Sequence, residues 1–325
     1  MKVTAIAPSN IAFIKYWGKK DESLRLPENA SISMNLSNLY TTTTVEFDDK
    51  YDSDMVEIDG ESKKGEGDRV IRHLDKVRNL SGLKFKAKVI SKNNFTKGTG
   101  SSSSASGFAA LSLAASRAAG LTLTEKELSI LARQGSGSAC RSIPDGFVEW
   151  LDGDTSETSY AVSLFPHNYW NILDVVVVVG DEKKDISSTF GQVIAATSPF
   201  FPVRLRNIND KIMLIKQLMQ KKYFNKFGEL LENEALELHA IMLTSSPSLI
   251  YWLPGTITIM KYVKKIRNEG LPVYFTVNTG QDIHLIIEEK NRDVLLNKLK
   301  RLDVVQKTIV NKPAGGANLI QKHLF

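Results

Sequence analysis

An alternating strand pattern at 84–91 runs into Asn93-Asn94-Phe95-Thr96-Lys97-Gly98-Thr99-Gly100-Ser101-Ser102-Ser103-Ser104-Ala105-Ser106-Gly107, then into an Ala- and Leu-rich helix that stops at Gly120. A strand, a Gly/Ser loop and a helix in that order build an anion site as they fold. Gly98, Gly100 and Gly107 remove side chains where a ligand must approach the backbone. The free N–H groups and positive dipole end of the helix face the loop and favour phosphate. Ser101, Ser102, Ser103 and Ser104 add hydroxyls. No Gly-Lys-Ser/Thr closes the loop, so it is not a Walker A sequence. A flexible Ser-rich linker is the competing reading, and the ordered patterns on both sides argue against it.

The rest of the chain has the composition to fold around such a unit. Of 325 residues, 42% are hydrophobic and 24% charged, which is ordinary globular usage and argues against disorder. The formal net charge is +6. Its excess lies in residues 261–325, with twelve Lys and Arg against six Asp and Glu; the remainder is balanced. Lys264, Lys265, Lys298 and Lys300 are spaced as solvated helix faces, and no basic run is interleaved with aromatics, so no nucleic-acid partner is expected. The apolar run 175–179 is far short of the roughly 20 residues a membrane span needs. The N-terminus enters a strand pattern directly, and a cytoplasmic protein is expected. A single cysteine, Cys140, excludes a disulfide framework and a Cys-based zinc site. His73, His167 and His323 share no ligand spacing, so no metal site built from protein side chains is expected.

Hydrophobic periodicity predicts strands at 2–7, 41–47, 54–58, 84–91, 174–180, 273–277, 283–288 and 305–310. It predicts helices at 67–80, up to 119, up to 134, and at 207–220, 223–243, 255–269 and 291–301. Thr124 with Glu127 forms a capping-box pattern. The fold class expected is α+β, in two halves, 1–180 and 181–325.

Two further segments carry polar chemistry. Gly135-Ser136-Gly137-Ser138-Ala139-Cys140-Arg141-Ser142 puts hydroxyls beside an arginine that can fork onto a carboxylate or phosphate, or lie as a surface arginine in a turn. Lys15, Tyr16 and Lys19 leave the first strand together, suited to an anion or merely solvated. His239 reads as a packed helix residue, His284 as structural, Cys140 as a small packed residue, and Trp17 and Trp252 as core or cleft wall.

The run Asn10-Ile11-Ala12-Phe13-Ile14-Lys15-Tyr16-Trp17-Gly18-Lys19, the 93–107 loop and the 135–142 segment together resemble the diphosphomevalonate decarboxylase family of the GHMP kinase superfamily. The resemblance continues in order through Ile186-Ser187-Ser188-Thr189-Phe190-Gly191, Glu232-Asn233-Glu234-Ala235-Leu236-Glu237-Leu238-His239-Ala240 and Tyr274-Phe275-Thr276-Val277-Asn278-Thr279-Gly280. It implies a GHMP kinase fold with a deep cleft between two α+β halves, and a homodimer. The activity implied is ATP-dependent decarboxylation of mevalonate 5-diphosphate to isopentenyl diphosphate, through phosphorylation of the tertiary 3-hydroxyl. ATP and Mg²⁺ are the implied cofactors, with Ser104 the one protein group offered to the metal. By resemblance, Gly98, Gly100, Ser101, Ser102, Ser103, Ser104 and Ser106 belong to the ATP phosphate loop, and Asn93 and Asn94 to the adenine pocket. Tyr16 and Lys19 fall at the substrate diphosphate, and Ser136, Gly137, Ser138 and Arg141 hold the substrate, Arg141 by its carboxylate. Lys15 falls near the reacting centre or the phosphates, and Ser188 close to the transferred phosphoryl group.

One position departs from the family. Where the family carries an Asp beside the 3-hydroxyl, this chain has Asn278, and an amide cannot take the hydroxyl proton. A slowed, engineered form, a natural member that phosphorylates without decarboxylating, and transfer of the role to Asp282 remain open. The segments beginning at Leu26, Thr41, Tyr251 and Val273 look closer to relatives that decarboxylate the 5-monophosphate, whereas Tyr16 and Lys19 look like the diphosphate type.

Overall fold

Alternation of β-branched and small residues draws the N-terminal chain into two long antiparallel strands, β1 (Lys2–Ile14) and β4 (Ser31–Asp48), separated by a small ribbon of β2 (Lys19–Asp21) and β3 (Leu26–Pro27). The computed structural model describes residues 1–62, 65–95, 103–180 and 187–325, so Gly98, Gly100, Ser101 and Ser102 lie outside the described residues. Next come β5 (Met55–Ile58), α1 (Glu66–Ser81), β6 (Lys86–Asn93), α2 (Ser103–Ala118), α3 (Glu125–Gly135), β7 (Phe147–Trp150) and β8 (Ala161–Phe165). The later elements are β9 (Ile172–Val178), α4 (Ser188–Val193), α5 (Phe201–Lys221), α6 (Phe224–Thr244), α7 (Pro254–Asn268), β10 (Val273–Thr276), β11 (Ile283–Glu288), α8 (Arg292–Leu299), β12 (Lys307–Asn311) and β13 (Asn318–Ile320).

The first sheet runs β13-β1-β4-β6-β5, with β7 on the first half of β4 and β8 beyond it. The β1/β4 register shifts between Pro8 and Asn10, where proline cannot donate to the ladder. The second sheet runs β10-β11-β9-β12, all antiparallel. β9 begins that sheet, while β13 returns the C-terminal residues to β1.

α2 is apolar or small nearly all round and is buried against β1 and β4 beside α3. α3 opens on the expected capping box, Thr124 with Glu127. One core cluster takes Ile11, Phe13 and Ile32 from the first sheet, Ile215 and Phe227 from α5 and α6, and Val176 and Ile286 from the second sheet. A shared core of this kind fixes the end of β1 against the β10–β11 hairpin, and the candidate site forms there.

Candidate active site

β1 ends at Ile14, and the next residue turns its side chain inward. Lys15 Nζ donates to Ala12 O (2.8 Å), Thr276 Oγ1 (2.7 Å) and Asn278 Oδ1 (3.1 Å). The last two come from the end of β10 and the turn that follows, so the cluster joins the two sheets. Its backbone is clamped as well. Glu234 Oε1 on α6 accepts the Lys15 N–H (3.1 Å), and Arg204 on α5 donates to the Lys15 carbonyl (2.9 Å). Arg204 also donates to both Glu234 oxygens (2.7 and 3.0 Å). Burial opposes ionisation of Glu234, but Arg204 and Lys211 overcome it and hold the carboxyl at about 2. For Lys15 burial is the strongest influence, and it draws the ammonium down to about 7.

The turn after β10 is held from two sides. Ser188, at the start of α4, shares a 2.6 Å hydrogen bond with Thr279. His239 Nε2 lies 3.0 Å from Asn278 O. A carbonyl only accepts, so that nitrogen carries the proton. Burial holds the imidazole at about 3, and it is neutral at working pH. His239 also stacks on Trp252, with centroids 4.5 Å apart. The packed histidine expected from sequence therefore has a positioning contact. Asp282 is buried, with Oδ1 3.4 Å from the Val179 N–H, and among the described residues no hydrogen bond joins it to Lys15 or Asn278.

Arg141 sits in a 3-10 turn, Gly137–Ser142, directly after α3. It is 3% exposed, so it is not a surface arginine. Nε donates to Ser33 (3.1 Å), Nη1 to Ser31 (2.6 Å) and Nη2 to Asn10 Oδ1 (3.2 Å). A guanidinium has five N–H groups. One on each terminal nitrogen therefore remains for a ligand, the pair that grips a carboxylate bidentately. Asn10 donates to Ser142 Oγ (2.8 Å) and to the backbone oxygen of Ser138 (3.2 Å), tying the turn to β1. Ser136 Oγ donates to Ser104 Oγ (3.2 Å), which links this turn to the first turn of α2.

Tyr16 packs edge-on against Trp150 (4.6 Å between centroids) and lies so close to Gly137 that a Cβ there would stand 2.8 Å from its ring. Burial pushes its phenol well above the ordinary value, so it remains a donor. Lys19 is already engaged by Glu22 at 2.6 Å. Cys140 is buried and donates to Gly137 O (3.0 Å), and burial raises its thiol to about 12, which leaves it unreactive.

A cavity beside the start of α2 is lined by Thr41, Ser91, Asn93, Ser103, Ser104 and Arg69 among others. Gly107 faces it, and among the described residues, its chain neighbours and its own helix backbone aside, no atom lies within 4 Å of where a Cβ would project. Phe108 supplies an apolar wall on which the Arg69 guanidinium lies, 4.9 Å from the ring centroid. Asn93 accepts from Thr41 and donates to Asp59. Asn94 instead bonds the backbone of Tyr40 and Asn38, and Ser106 bonds Thr41.

Sequence reasoning missed Asn10, Ser31, Ser33, Arg204 and Thr276 as members of the site. Asn10 and Thr276 lay inside motif blocks and Ser31 and Ser33 inside the segment beginning at Leu26, which was the available signal; Arg204 had none.

The family model described as the diphosphomevalonate decarboxylase-like N-terminal domain matches residues 7–161, and that of the mevalonate 5-diphosphate decarboxylase C-terminal domain matches 174–319. The chain is 35% identical over 311 residues to the diphosphomevalonate decarboxylase of Candida albicans, covering 90% of this chain and 86% of that protein. The crystal structure of the mevalonate diphosphate decarboxylase from Staphylococcus aureus superposes with a TM-score of 0.94 at 37% identity, covering 98% of each chain. The structure of MDDEF in complex with MVAPP, AMPPCP and magnesium also gives 0.94, at 36% identity and 99% coverage of both chains. The α+β architecture is that of the GHMP kinase fold, and the chain belongs to the diphosphomevalonate decarboxylase family.

Proposed function

We propose that this protein catalyses the ATP-dependent decarboxylation of mevalonate 5-diphosphate, giving isopentenyl diphosphate, ADP, phosphate and carbon dioxide. The observation that carries the reading is Arg141: a buried guanidinium held by Asn10, Ser31 and Ser33 with one N–H on each terminal nitrogen left over. That is the arrangement a substrate carboxylate needs, and it lies in the turn that also touches the first turn of α2.

ATP supplies the phosphoryl group and magnesium offsets its charge. The residues present fit the nucleotide. The cavity under Gly107 is part apolar and part hydroxyl-lined, and it opens on the N-terminus of a long helix, where phosphate is favoured. Ser103, Ser104 and Asn93 would hold it, and Ser104 is the group offered to the metal. Asn94 and Ser106 support this wall from behind.

The chain's own residues do the following. Tyr16 and the Ser136, Gly137 and Ser138 backbone shape the substrate pocket, with Lys19 at its diphosphate end. Ser188 and Thr279 hold the turn that presents Asn278. Once the tertiary oxygen is phosphorylated it becomes a good leaving group; its departure builds positive character at C3, and loss of carbon dioxide forms the alkene. Arg141 orients the carboxylate for that collapse. By the same family resemblance, the protein works as a homodimer in the cytoplasm, which light scattering and cell fractionation test.

The test is to mix the protein with ATP, Mg²⁺ and either mevalonate 5-diphosphate or the 5-monophosphate and to follow ADP and carbon dioxide together. Equal yields support the reading. ADP without carbon dioxide sinks it in favour of a kinase, and turnover confined to the 5-monophosphate reassigns the substrate.

A further inference from the structure

The β2–β3 ribbon carries Lys19, Lys20 and Arg25, and two of these cations have a carboxylate. Lys19 bonds Glu22 (2.6 Å) and Lys20 bonds Asp154 (2.7 Å). Arg25 is half-buried, and among the described residues its guanidinium makes no hydrogen bond and no ion pair. Its five N–H groups are free. Its backbone is unfavourable as well, with φ at 54°, in the left-handed region that residues with a Cβ avoid.

The neighbours impose that geometry. The Leu24 N–H donates to Asp21 Oδ1 (2.7 Å), and Arg133 Nε donates to the Leu24 carbonyl (3.1 Å). Leu26 and Pro27 are buried and pair with Asp21 and Lys19. Arg133, at the end of α3, is itself fully buried and also holds the backbone oxygens of Ser156 and Ser159. Strain that the surroundings over-determine points to a functional position.

The ribbon is placed against the substrate pocket. Arg133 lies two residues before Gly135, where the wall begins whose Gly137 abuts the Tyr16 ring. Arg69 of α1 reaches the same wall, with Nη2 donating to Gly135 O (3.2 Å). After burial, Arg25 is the strongest influence on the Tyr16 phenol, ahead of Arg141, and also on Arg69. Two like charges this close repel, and an anion held beside them offsets the repulsion.

We propose that Arg25 binds the terminal phosphate of the substrate's diphosphate and sets a preference for the diphosphate over the monophosphate. The inference rests on the proposed reaction, which places the substrate carboxylate on Arg141. Arg141 is 3% exposed, so the other end of the substrate points outward, and Glu22 and Ser23 beside Arg25 are exposed. Tyr16 offers that end a neutral donor, and the charge of Lys19 is already offset by Glu22, so neither brings a free positive charge. Arg25 supplies it, in the planar fork that takes phosphate oxygens in pairs. The phosphate next to C5 is common to both esters and meets Tyr16 and the Ser136–Ser138 turn in either case.

The experiment compares the native protein with Arg25→Gly. Glycine adopts left-handed backbone without strain, so the fold is kept; Arg25→Asn, which also tolerates that region, stands in if glycine unsettles the ribbon. Equilibrium binding of mevalonate 5-diphosphate, mevalonate 5-phosphate and ATP with Mg²⁺ is measured by calorimetry, together with Tm. Affinity for the diphosphate should fall about 10–100-fold, the size of hydrogen bonds to a charged group. Affinities for the monophosphate and ATP should be little changed, and Tm should hold or rise. An equal loss for the two esters, a loss confined to ATP, or no loss overturns the assignment. So does a fall in Tm with unchanged affinities, the mark of a purely structural arginine. A native protein that binds the diphosphate without turning it over refutes the proposed function, and the two affinities still decide Arg25. A native protein that binds neither ester refutes both.

Discussion

Arg204→Met removes the cation that anchors the backbone of Lys15. Arg204 is 1% exposed and donates to both oxygens of Glu234, to Glu237 Oε1 (2.8 Å) and to the Lys15 carbonyl (2.9 Å). Methionine replaces much of the stem and none of the donors. Glu234 is then left with Lys211 and one backbone N–H. Breaking a buried pair from one side costs about 3–5 kcal/mol. The lowering of the Glu234 carboxyl from 4.5 to about 2, to which Lys211 and the Lys15 N–H contribute beside Arg204, is of the same order, about 3 kcal/mol. With an unfolding entropy of about 2.1 cal/mol/K per residue over 325 residues, Tm should fall by about 4–7 °C. The pH dependence has a definite sign. The folded-state pKa is depressed, so this stabilisation is complete above the unfolded value near 4.5 and is lost as pH falls towards 2. Calorimetry of both proteins at pH 7 and in the acid range checks this. The gap in Tm should be widest at neutral pH and narrow below about 4.5, and kcat/KM should fall because Lys15 loses its clamp. A drop of less than about 2 °C at pH 7, or a gap that persists unchanged in acid, refutes the reasoning.

Other sites give sharper contrasts between stability and activity. Gly137→Ala places a Cβ 2.8 Å from the Tyr16 ring and 3.0 Å from Trp150; overpacking there should cost about 1–3 kcal/mol and raise KM for the substrate, read by calorimetry and steady-state kinetics. Ser31→Ala removes the 2.6 Å acceptor of Arg141 Nη1 and leaves a buried charged donor unsatisfied, so about 1–3 kcal/mol should be lost, with KM affected more than stability if Arg141 holds the carboxylate. Thr124→Ala breaks the capping box of α3, which should lower stability by about 1 kcal/mol and leave kcat/KM unchanged, because it acts at the opposite end of α3 from the turn carrying Arg141.

The secondary structure was legible where local physics decides it. The 3.6-residue pattern found α1, α6 and α7, the Thr124–Glu127 spacing found the start of α3, and two β-branched runs around Asn278-Thr279-Gly280-Gln281 found the β10–β11 hairpin. β7, β8 and β13 were missed, being short; β7 and β13 pair with β4 and β1 far along the chain, and β8 pairs only with its neighbour β7 in a shifted register. β4 proved much longer than its Thr-rich half: Ser31-Ile32-Ser33-Met34-Asn35-Leu36 alternates polar and apolar, a strand signal that was passed over, and the structure buries both of its faces.

For the site, sequence by itself gave the motif blocks, their order and the missing carboxylate at Asn278, since these are matters of residue type and local spacing. It also located Arg141 and Lys15 as cations without saying whether they were solvated. Only the tertiary structure decided that. Arg141 is buried because Ser31 and Ser33 of β4 and Asn10 of β1 close around it, and Lys15 because β1 ends against the core it shares with α6 and β10. Lys15 and Asn278 are 263 positions apart, and Arg204 and Lys15 are 189 apart. Contacts at such separations depend on how sheets and helices pack rather than on any periodicity in the chain. The same packing keeps water and counter-ions from Lys15, and a lysine's proton affinity is set by those surroundings.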